Sequence, residues 1–288
     1  MKGIARAQLR IQDEGRYVAP SGTVVDIKAT QADAVAHTEL LTPDDCAAVQ
    51  RAVEAQPTGS GTGPVTLAPV TLANEKTQQA AQRMSADGPV CVLSFASARN
   101  VGGGFMNGAK AQEEDLHRCA GAYRCLETAR GYYEANRATS SLLYTDHLIY
   151  APRVPWVRVD GRTLLEEPFL ASIITAPAPN AGEHLRRYPN GHAAIRETLH
   201  RRAGYVLATA ITRGERRLVL GAWGCGVFRN DPSEVAAVWH DWLVGRGWQQ
   251  HFEQVHVAVW DRTKSQHVWE AFGAQFKTLG RSSRDVTV

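Results

Sequence analysis

The sequence predicts a three-layer α/β/α protein, in which a mixed sheet lies between helices and a mainly helical extension precedes it. From residue 65 onward, apolar segments of strand length alternate regularly with helical segments, whereas the first 64 residues lack this alternation. Two of the apolar segments lead into glycine-rich loops. Alternating strands and crossover helices form a largely parallel or mixed sheet that is covered on both faces.

The amino-terminal extension, residues 1–64, is expected to pack on a core formed by residues 65–288. Thr42 can cap a helix, and Asp45 three residues later can complete a capping box. Glycine, proline and serine predict a loop at the end of the extension. The predicted elements of the extension are a helical lead-in at 1–20, a strand at 22–27, a helix at 42–55 and the loop at 56–64.

The core is predicted to contain six strands and five helices. The strand candidates are 65–72, 89–97, 146–152, 169–179, 216–224 and 254–260. The helix candidates are 74–86, 111–130, 192–212, 231–245 and 264–276. Glu166 and Glu167 are expected in a solvated turn before a strand, and Arg201 and Arg202 on an exposed helix face. Ligands of such sheets bind at the carboxyl ends of the strands.

Composition and charge argue against a nucleic-acid-binding protein. Among 288 residues, 44% are apolar and 21% are charged, as is usual for a globular protein. The net charge of +3 comes from 32 basic and 29 acidic residues without long runs. A nucleic-acid-binding protein usually carries a concentrated basic patch, so direct DNA binding is not expected. The small positive excess suits an anionic small ligand.

Cysteine and histidine spacing argues against disulfide and metal sites. The five cysteines are odd in number and lack CxxC spacing, and the histidines show no HExxH pattern. The first residues lack the apolar core of a signal peptide, and no stretch approaches the roughly 20 apolar residues of a membrane span. We therefore expect a cytoplasmic protein without metal or membrane contact, and a monomer because no heptad pattern is present.

One stretch, Asn100–Cys119, contains most of the residues that could bind a ligand or take part in catalysis. Three consecutive glycines are followed, after seven residues, by Gln112-Glu113-Glu114 at the start of a predicted helix. Glycine allows positive φ and a close approach of the backbone to a ligand. Taken without its context, the acidic pair can also be read as side chains that complement a helix dipole.

A second glycine-rich loop spans residues 221–232. Gly224 and Gly226 allow a tight turn whose amides can converge on an anion. Asp231 can cap the following helix, with Pro232 at its first position. A plain strand-to-helix turn is the alternative, but beside the first loop a diphosphate cradle is favoured. A Walker lysine and a GxGxxG motif are both missing, which disfavours a P-loop NTPase or a dinucleotide dehydrogenase.

The adjacent carboxylates of Glu113 and Glu114 constrain the reaction. On a helix they point about 100° apart, so they cannot act as the two opposed carboxylates of an ordinary glycosidase. One can reach the scissile bond while the other holds hydroxyl groups of the same sugar. The crowding of like charge is expected to raise the pKa of one of them and favour a general acid.

These segments resemble the bacterial-type branch of the poly(ADP-ribose) glycohydrolases. The signature is three glycines, seven residues and Gln-Glu-Glu, within SFASARNVGGGFMNGAKAQEE. The segments LYTDHLIYAP, LLEEPF, ITAPAPNA and LVLGAWGCGVFRNDP also resemble blocks of that branch. The resemblance covers roughly residues 85–260 and is weaker in the amino-terminal region. It implies a macrodomain that binds ADP-ribose in a cleft at the strand ends.

The resemblance also implies roles for individual residues. Glu114 is implied as the catalytic acid/base, and Glu113 as the residue that holds the hydroxyls of the terminal ribose. Val101 stands where proline is expected, which should affect loop stiffness more than chemistry. The implied ribose-site residues are Asn100, Gly102, Gly103, Gly104 and Gln112. The implied diphosphate loop consists of Gly224, Cys225, Gly226, Val227 and Phe228, with Phe228 near the terminal ribose.

The implied activity is hydrolysis of ribose–ribose bonds in poly(ADP-ribose), mainly from the chain end, with release of ADP-ribose and without a cofactor. Two alternatives stay open: a reader that binds ADP-ribose without turnover, and a mono-ADP-ribosyl hydrolase. Retention of both Glu113 and Glu114 argues against the reader. The expected partners are the polymer, ADP-ribose and ADP-ribosylated proteins, in the reversal of ADP-ribosylation during a bacterial DNA damage response.

Overall fold

The computed structural model describes residues 1–56 and 68–276. Its strands are β1 (Arg16–Val18), β2 (Val24–Asp26), β3 (Glu39–Leu41), β4 (Val70–Ala73), β5 (Cys91–Phe95), β6 (Leu148–Arg158), β7 (Leu164–Ala176), β8 (Arg217–Gly221) and β9 (Gln254–Ala258). Its α-helices are α1 (Lys2–Glu14), α2 (Lys28–Ala36), α3 (Pro43–Glu54), α4 (Thr77–Ser85), α5 (Gln112–Cys119), α6 (Ala122–Thr128), α7 (Arg130–Ala138), α8 (Ala181–Arg187), α9 (His192–Thr212), α10 (Pro232–His240) and α11 (His267–Phe276). Shorter turns are 3-10 at Phe105–Asn107 and Trp248–His251, and π-helical at Asp241–Gly245.

Seven strands form one mixed sheet in the order β3-β6-β7-β5-β8-β9-β4. The pairs β7-β5, β5-β8, β8-β9 and β9-β4 are parallel, and β6 runs antiparallel to both β7 and β3. β1 and β2 form a separate antiparallel pair. The carboxyl ends of β5, β8, β9 and β4 therefore lie at one edge of the sheet, as the sequence predicts for a ligand site.

The core lies on both faces of this sheet. In β5, Cys91 and Leu93 pack into one cluster with α9, α10 and α11, whereas Val92 packs into another with α4 and α5. Side chains of a strand point alternately to its two faces, so an uninterrupted apolar run is buried on both sides. The predicted three-layer α/β/α arrangement is confirmed.

The amino-terminal residues are joined to the sheet. Thr42 and Asp45 form the predicted capping box: the Thr42 amide donates to Asp45 Oδ2 at 2.9 Å, and the Asp45 amide donates to Thr42 Oγ1 at 3.3 Å. Just before this helix, β3 pairs with β6 and adds an edge strand. The loop predicted at 56–64 lies outside the described residues from 57 onward, and the division into 1–64 and 65–288 stays a prediction.

The single helix predicted at 111–130 is wrong, because the chain breaks after Cys119. Ala120 forms an isolated antiparallel bridge with Trp156, and the Gly121 amide donates to the Pro155 carbonyl at 2.9 Å. Pairing with β6 therefore takes two residues out of the helix, and α6 starts afresh at Ala122.

Two surface predictions are also wrong. Glu166 and Glu167 are solvent-exposed, but they lie within β7 and not in a turn. Arg202 is completely buried in α9, where its Nε and Nη2 atoms donate to Asp146 Oδ1 at 3.0 and 2.8 Å. An arginine can be buried when its donors are paired with a carboxylate and carbonyls.

Within the described residues, no helix is both long and apolar enough to cross a bilayer.

Candidate active site

The site lies where β5 and β8 end, since these parallel neighbours lead into the two glycine-rich loops. We call residues 100–104 the glycine loop and residues 221–232 the phosphate loop. A cleft of about 1070 Å³ runs along the ends of β4, β5, β8 and β9, past Phe95, Ala258 and Trp260. It also reaches the start of α5 and the phosphate loop.

Two buried carboxylates stand behind the glycine loop. Glu113 and Glu114 occupy the first turn of α5 and are only 3% and 7% exposed. The Ser97 amide donates to Glu113 Oε2 at 2.7 Å, and the Gly104 amide donates to Glu114 Oε1 at 2.8 Å. The other oxygen of each, Glu113 Oε1 and Glu114 Oε2, is buried and has no hydrogen-bond partner among the described residues. Each carboxyl group therefore keeps one acceptor for a ligand.

The glycine loop fits these carboxylates because it lacks side chains. A Cβ atom on Gly103 would lie 2.6 Å from both Glu113 Oε2 and Glu114 Oε1. Gly102 and Gly103 have φ values of +62° and +60°, a region that disfavours residues with a Cβ. Backbone and carboxyl oxygens are thus in direct contact, and even alanine cannot be accommodated without movement.

Burial raises the pKa of Glu113 well above its ordinary value. The negative charge of Glu114 raises it further, while the hydrogen bond from the Ser97 amide opposes the shift. The sequence predicted one raised pKa, through like charge and in favour of the general acid. In the structure the raised pKa is that of Glu113; the Glu114 charge contributes to it, and its largest cause is loss of hydration.

Gln112 is bonded to the protein through both ends of its amide. Its Oε1 accepts from the Phe95 amide at 2.9 Å, and its Nε2 donates to the Leu93 carbonyl at 2.8 Å and to Thr77 Oγ1 at 3.1 Å. These bonds fasten the start of α5 to the end of β5. Gln112 therefore positions the two glutamates, and direct contact of its amide with a ribose stays a prediction.

Asn100 closes the turn at the start of the glycine loop. Its amide donates to Ser97 Oγ at 3.1 Å, and its carbonyl accepts from the Gly103 amide at 3.0 Å. Asn100 is exposed, and contact of its side chain with a ribose stays a prediction.

The phosphate loop is built around Asn230. Asn230 Nδ2 donates to the Pro179 carbonyl at 2.8 Å, and the amide of Asn230 donates to the Gly224 carbonyl at 3.1 Å. Among the described residues, the amides of Gly226, Val227 and Phe228 have no partner. Three consecutive amides without partners are available as donors to a phosphate.

The side chains in and after the phosphate loop leave its amides available to a phosphate. Val227 is 79% exposed, and Asp231 caps α10 by accepting from the amides of Ser233 and Glu234. Burial raises the pKa of the Cys225 thiol, so it is not a ready nucleophile. All five cysteines are free thiols.

Several supporting residues were not identified from the sequence. Phe105, His117 and Tyr123 form an aromatic cluster under the glycine loop, with ring centroids 5.7–6.0 Å apart. Burial lowers the pKa of His117 to about 3, so this ring is neutral. Tyr144 was not predicted from the sequence either. In the structure its ring lies 5.8 Å from that of Phe228, and its φ is +62°. No local sequence pattern marks these residues, because their contacts are long-range.

Comparison with known proteins agrees with this geometry. Residues 5–159 match the family described as microbial-type PARG, catalytic domain, where PARG is poly(ADP-ribose) glycohydrolase. A search of curated proteins found no match.

Solved structures of bacterial glycohydrolases are similar over most of the chain. The enzyme from Thermomonospora curvata is 39% identical, with 96% of this chain and 98% of that chain covered and a TM-score of 0.88. Its complex with the inhibitor ADP-HPD gives 38% identity, the same coverage and a TM-score of 0.84. The Deinococcus radiodurans enzyme in complex with ADP-ribose is 40% identical, with 88% and 99% covered and a TM-score of 0.80. The chain thus belongs to the microbial-type poly(ADP-ribose) glycohydrolase family.

Proposed function

We propose that the protein hydrolyses ribose–ribose O-glycosidic bonds of poly(ADP-ribose), mainly from the chain end, and releases ADP-ribose. The observation that carries this proposal is the pair Glu113–Glu114, buried against a glycine loop with one free oxygen on each carboxyl group. A cleft of about 1070 Å³ beside them has room for a dinucleotide. Binding alone would need the cleft and the free amides, but not two buried acids.

In this proposal the two glutamates divide the chemistry. Glu113 accepts hydrogen bonds from hydroxyls of the terminal ribose, and these bonds favour its ionised form. Glu114 is the acid in this proposal, and its reacting oxygen is the one not bonded to the Gly104 amide.

The bond changes follow from these positions. Glu114 donates its proton to the glycosidic oxygen as the bond from C1″ to that oxygen breaks. The electron pair stays with the leaving oxygen, and C1″ becomes oxocarbenium-like. The ionised Glu114 then takes a proton from a water molecule that adds to C1″, which regenerates the acid. The Gly104 amide holds Glu114 in place during both steps.

Hydrolysis of labelled polymer by Glu114→Gln tests this assignment. We expect a loss of about 10²- to 10⁴-fold in turnover, because a positioned acid contributes that much. Affinity for ADP-ribose should change little, since the amide oxygen of the new side chain can still accept from the Gly104 amide. Glu197→Gln, at an exposed position of α9, is the matched control and should retain full activity.

The same assay separates the alternatives. Near wild-type turnover by Glu114→Gln would remove Glu114 from the mechanism. Intact polymer with ADP-ribose still bound by the wild type would indicate a reader. Release of ADP-ribose from mono-modified protein, with polymer untouched, would indicate a mono-ADP-ribosyl hydrolase.

We also propose that the protein works as a monomer in the bacterial cytoplasm, on ADP-ribosylated proteins, and reverses ADP-ribosylation in the DNA damage response. Its five free thiols suit a reducing compartment. Size-exclusion chromatography with light scattering tests the monomer, and polymer levels in a deletion strain after irradiation test the role.

A further inference from the structure

Three arginines beside the glycine loop have no carboxylate within 4.0 Å in the described part of the chain: Arg99, Arg130 and Arg137. Arg99 directly precedes the glycine loop, and its Nε is buried without a partner. Arg137 donates to the Arg99 carbonyl at 2.8 Å, and with Arg130 it lines a cavity of about 180 Å³ next to Val101. Glu127 also lines this cavity, but it is paired with Arg124 at 2.6 Å.

Tyr144 connects this basic region to the phosphate loop. The Arg99 guanidinium lies 5.8 Å from the centroid of the Tyr144 ring, which lies 5.8 Å from the ring of Phe228. The Tyr144 ring is half-buried, and its hydroxyl has no partner among the described residues. A tyrosine at φ +62° is unusual, and such strain is concentrated at functional sites.

None of these four side chains is among the residues that line the large cleft. The cleft follows the ends of β5, β8, β9 and β4. The loop that carries Tyr144 is bonded instead to the segment that follows β7, because the Leu142 carbonyl accepts from the Asn180 amide at 2.8 Å. β7 and β8 flank β5 on opposite sides. The loop that carries Tyr144 is therefore on the β7 side of β5, opposite the β8, β9 and β4 end of the cleft, where the chain beyond the scissile bond can reach it.

We propose that Arg99, Arg130, Arg137 and Tyr144 form a leaving-unit surface, which binds the nucleotide on the far side of the scissile bond. This inference rests on the proposed function and adds a second recognition site to it. The leaving unit carries a purine close to the bond and then a diphosphate. The Tyr144 ring offers a stacking face for the purine. The three guanidinium groups donate only to backbone carbonyls among the described residues, so their charge is free to attract the diphosphate.

Binding to a two-unit chain and to ADP-ribose, both measured in Glu114→Gln protein, tests the surface without turnover. We expect the two-unit chain to bind about tenfold more tightly, as one stacked base allows. Tyr144→Asn should remove this advantage while leaving ADP-ribose affinity unchanged, and asparagine tolerates the left-handed backbone. The double variant Arg99→Gln, Arg137→Gln should weaken the salt dependence of two-unit binding. The slope of log K against log salt concentration should become shallower by about 0.7 for each phosphate contact that is lost.

Arg51→Gln, on exposed α3, is the charge-matched control and should change neither affinity. Equal affinity of the parent for both ligands, or equal losses for both ligands in the variants, would overturn the leaving-unit surface. Cleavage of the two-unit chain by the wild type is a separate readout, and its failure would contradict the proposed function instead. Melting temperatures of all variants identify any that fail to fold. If the double variant Arg99→Gln, Arg137→Gln does not fold, the Arg137→Gln single variant replaces it.

Discussion

The two glycine-rich loops follow neighbouring parallel strands, yet Gly103 in one and Gly226 in the other have opposite surroundings. In the glycine loop, the Gly104 amide is bonded to Glu114, and Gly103 has no room for a Cβ beside the two carboxyl groups. In the phosphate loop, a Cβ on Gly226 would meet nothing within 4 Å, and three amides stay without partners in the described residues.

This difference separates two uses of glycine. Gly103 fits the backbone to the protein's own buried acids. Gly224 of the phosphate loop is similarly confined, because a Cβ there would clash with Asn230 Nδ2, whereas Gly226 leaves room for a ligand. Substitutions in the glycine loop should therefore disturb the protein even without substrate. Substitution of Gly226 should instead affect ligand binding.

The strongest test of the contrast is Gly103→Ala against Gly226→Ala. The new Cβ of Gly103→Ala would push both carboxyl groups away, so we expect about a 100-fold loss of turnover. Its left-handed backbone adds about 1–2 kcal/mol of destabilisation. Gly226→Ala should keep its melting temperature and lose at most about threefold in turnover. If the two substitutions had equal effects on turnover and equal effects on melting temperature, the contrast between Gly103 and Gly226 would be wrong.

The bonds of Gln112 give the next largest effect. Gln112→Ala leaves the Phe95 amide and the Leu93 carbonyl without their partner, which should cost about 1–3 kcal/mol in the free energy of unfolding. Urea denaturation measures this change. Gln82→Ala, on the exposed face of α4, should stay within about 0.5 kcal/mol. A stable Gln112→Ala protein that binds ADP-ribose poorly would point to direct ligand contact.

The pH dependence of stability tests the buried acids without substrate. The folded pKa of Glu113 is raised, so its carboxyl group destabilises the folded state as pH rises above the ordinary glutamate value. Glu113→Gln removes this penalty and should raise the melting temperature at pH 8 by about 2 °C or more. At pH 4 the difference should vanish. A Glu113→Gln protein less stable than wild type at both pH values, with Glu197→Gln unchanged, would contradict this account.

The smallest effect is expected for Cys225→Ser in the phosphate loop. The thiol is protonated at neutral pH because burial raises its pKa, and no step of the mechanism uses it. Turnover of polymer should stay within about twofold of wild type. A loss of 100-fold or more would mean that the thiol takes part in the reaction.

Local sequence determined the parts of the site that depend on neighbours along the chain. Glycine at 102–104 and the adjacent acids at 113 and 114 already predict a close backbone approach beside two divergent carboxylates. The apolar run of β5 likewise predicts a strand buried on both faces, with its loop at the ligand edge. These features follow from backbone freedom and side-chain periodicity, which are local properties.

Only the tertiary structure decided which groups are desolvated and which are paired. The raised pKa belongs to Glu113 because of burial, and Gln112 is bonded to β5 because the sheet brings that strand to the start of α5. Tyr144 meets Phe228 from a distant part of the sequence, and pairing with β6 breaks the helix at Gly121. Burial and long-range contact depend on the packing of distant segments, and neither can be read from neighbouring residues.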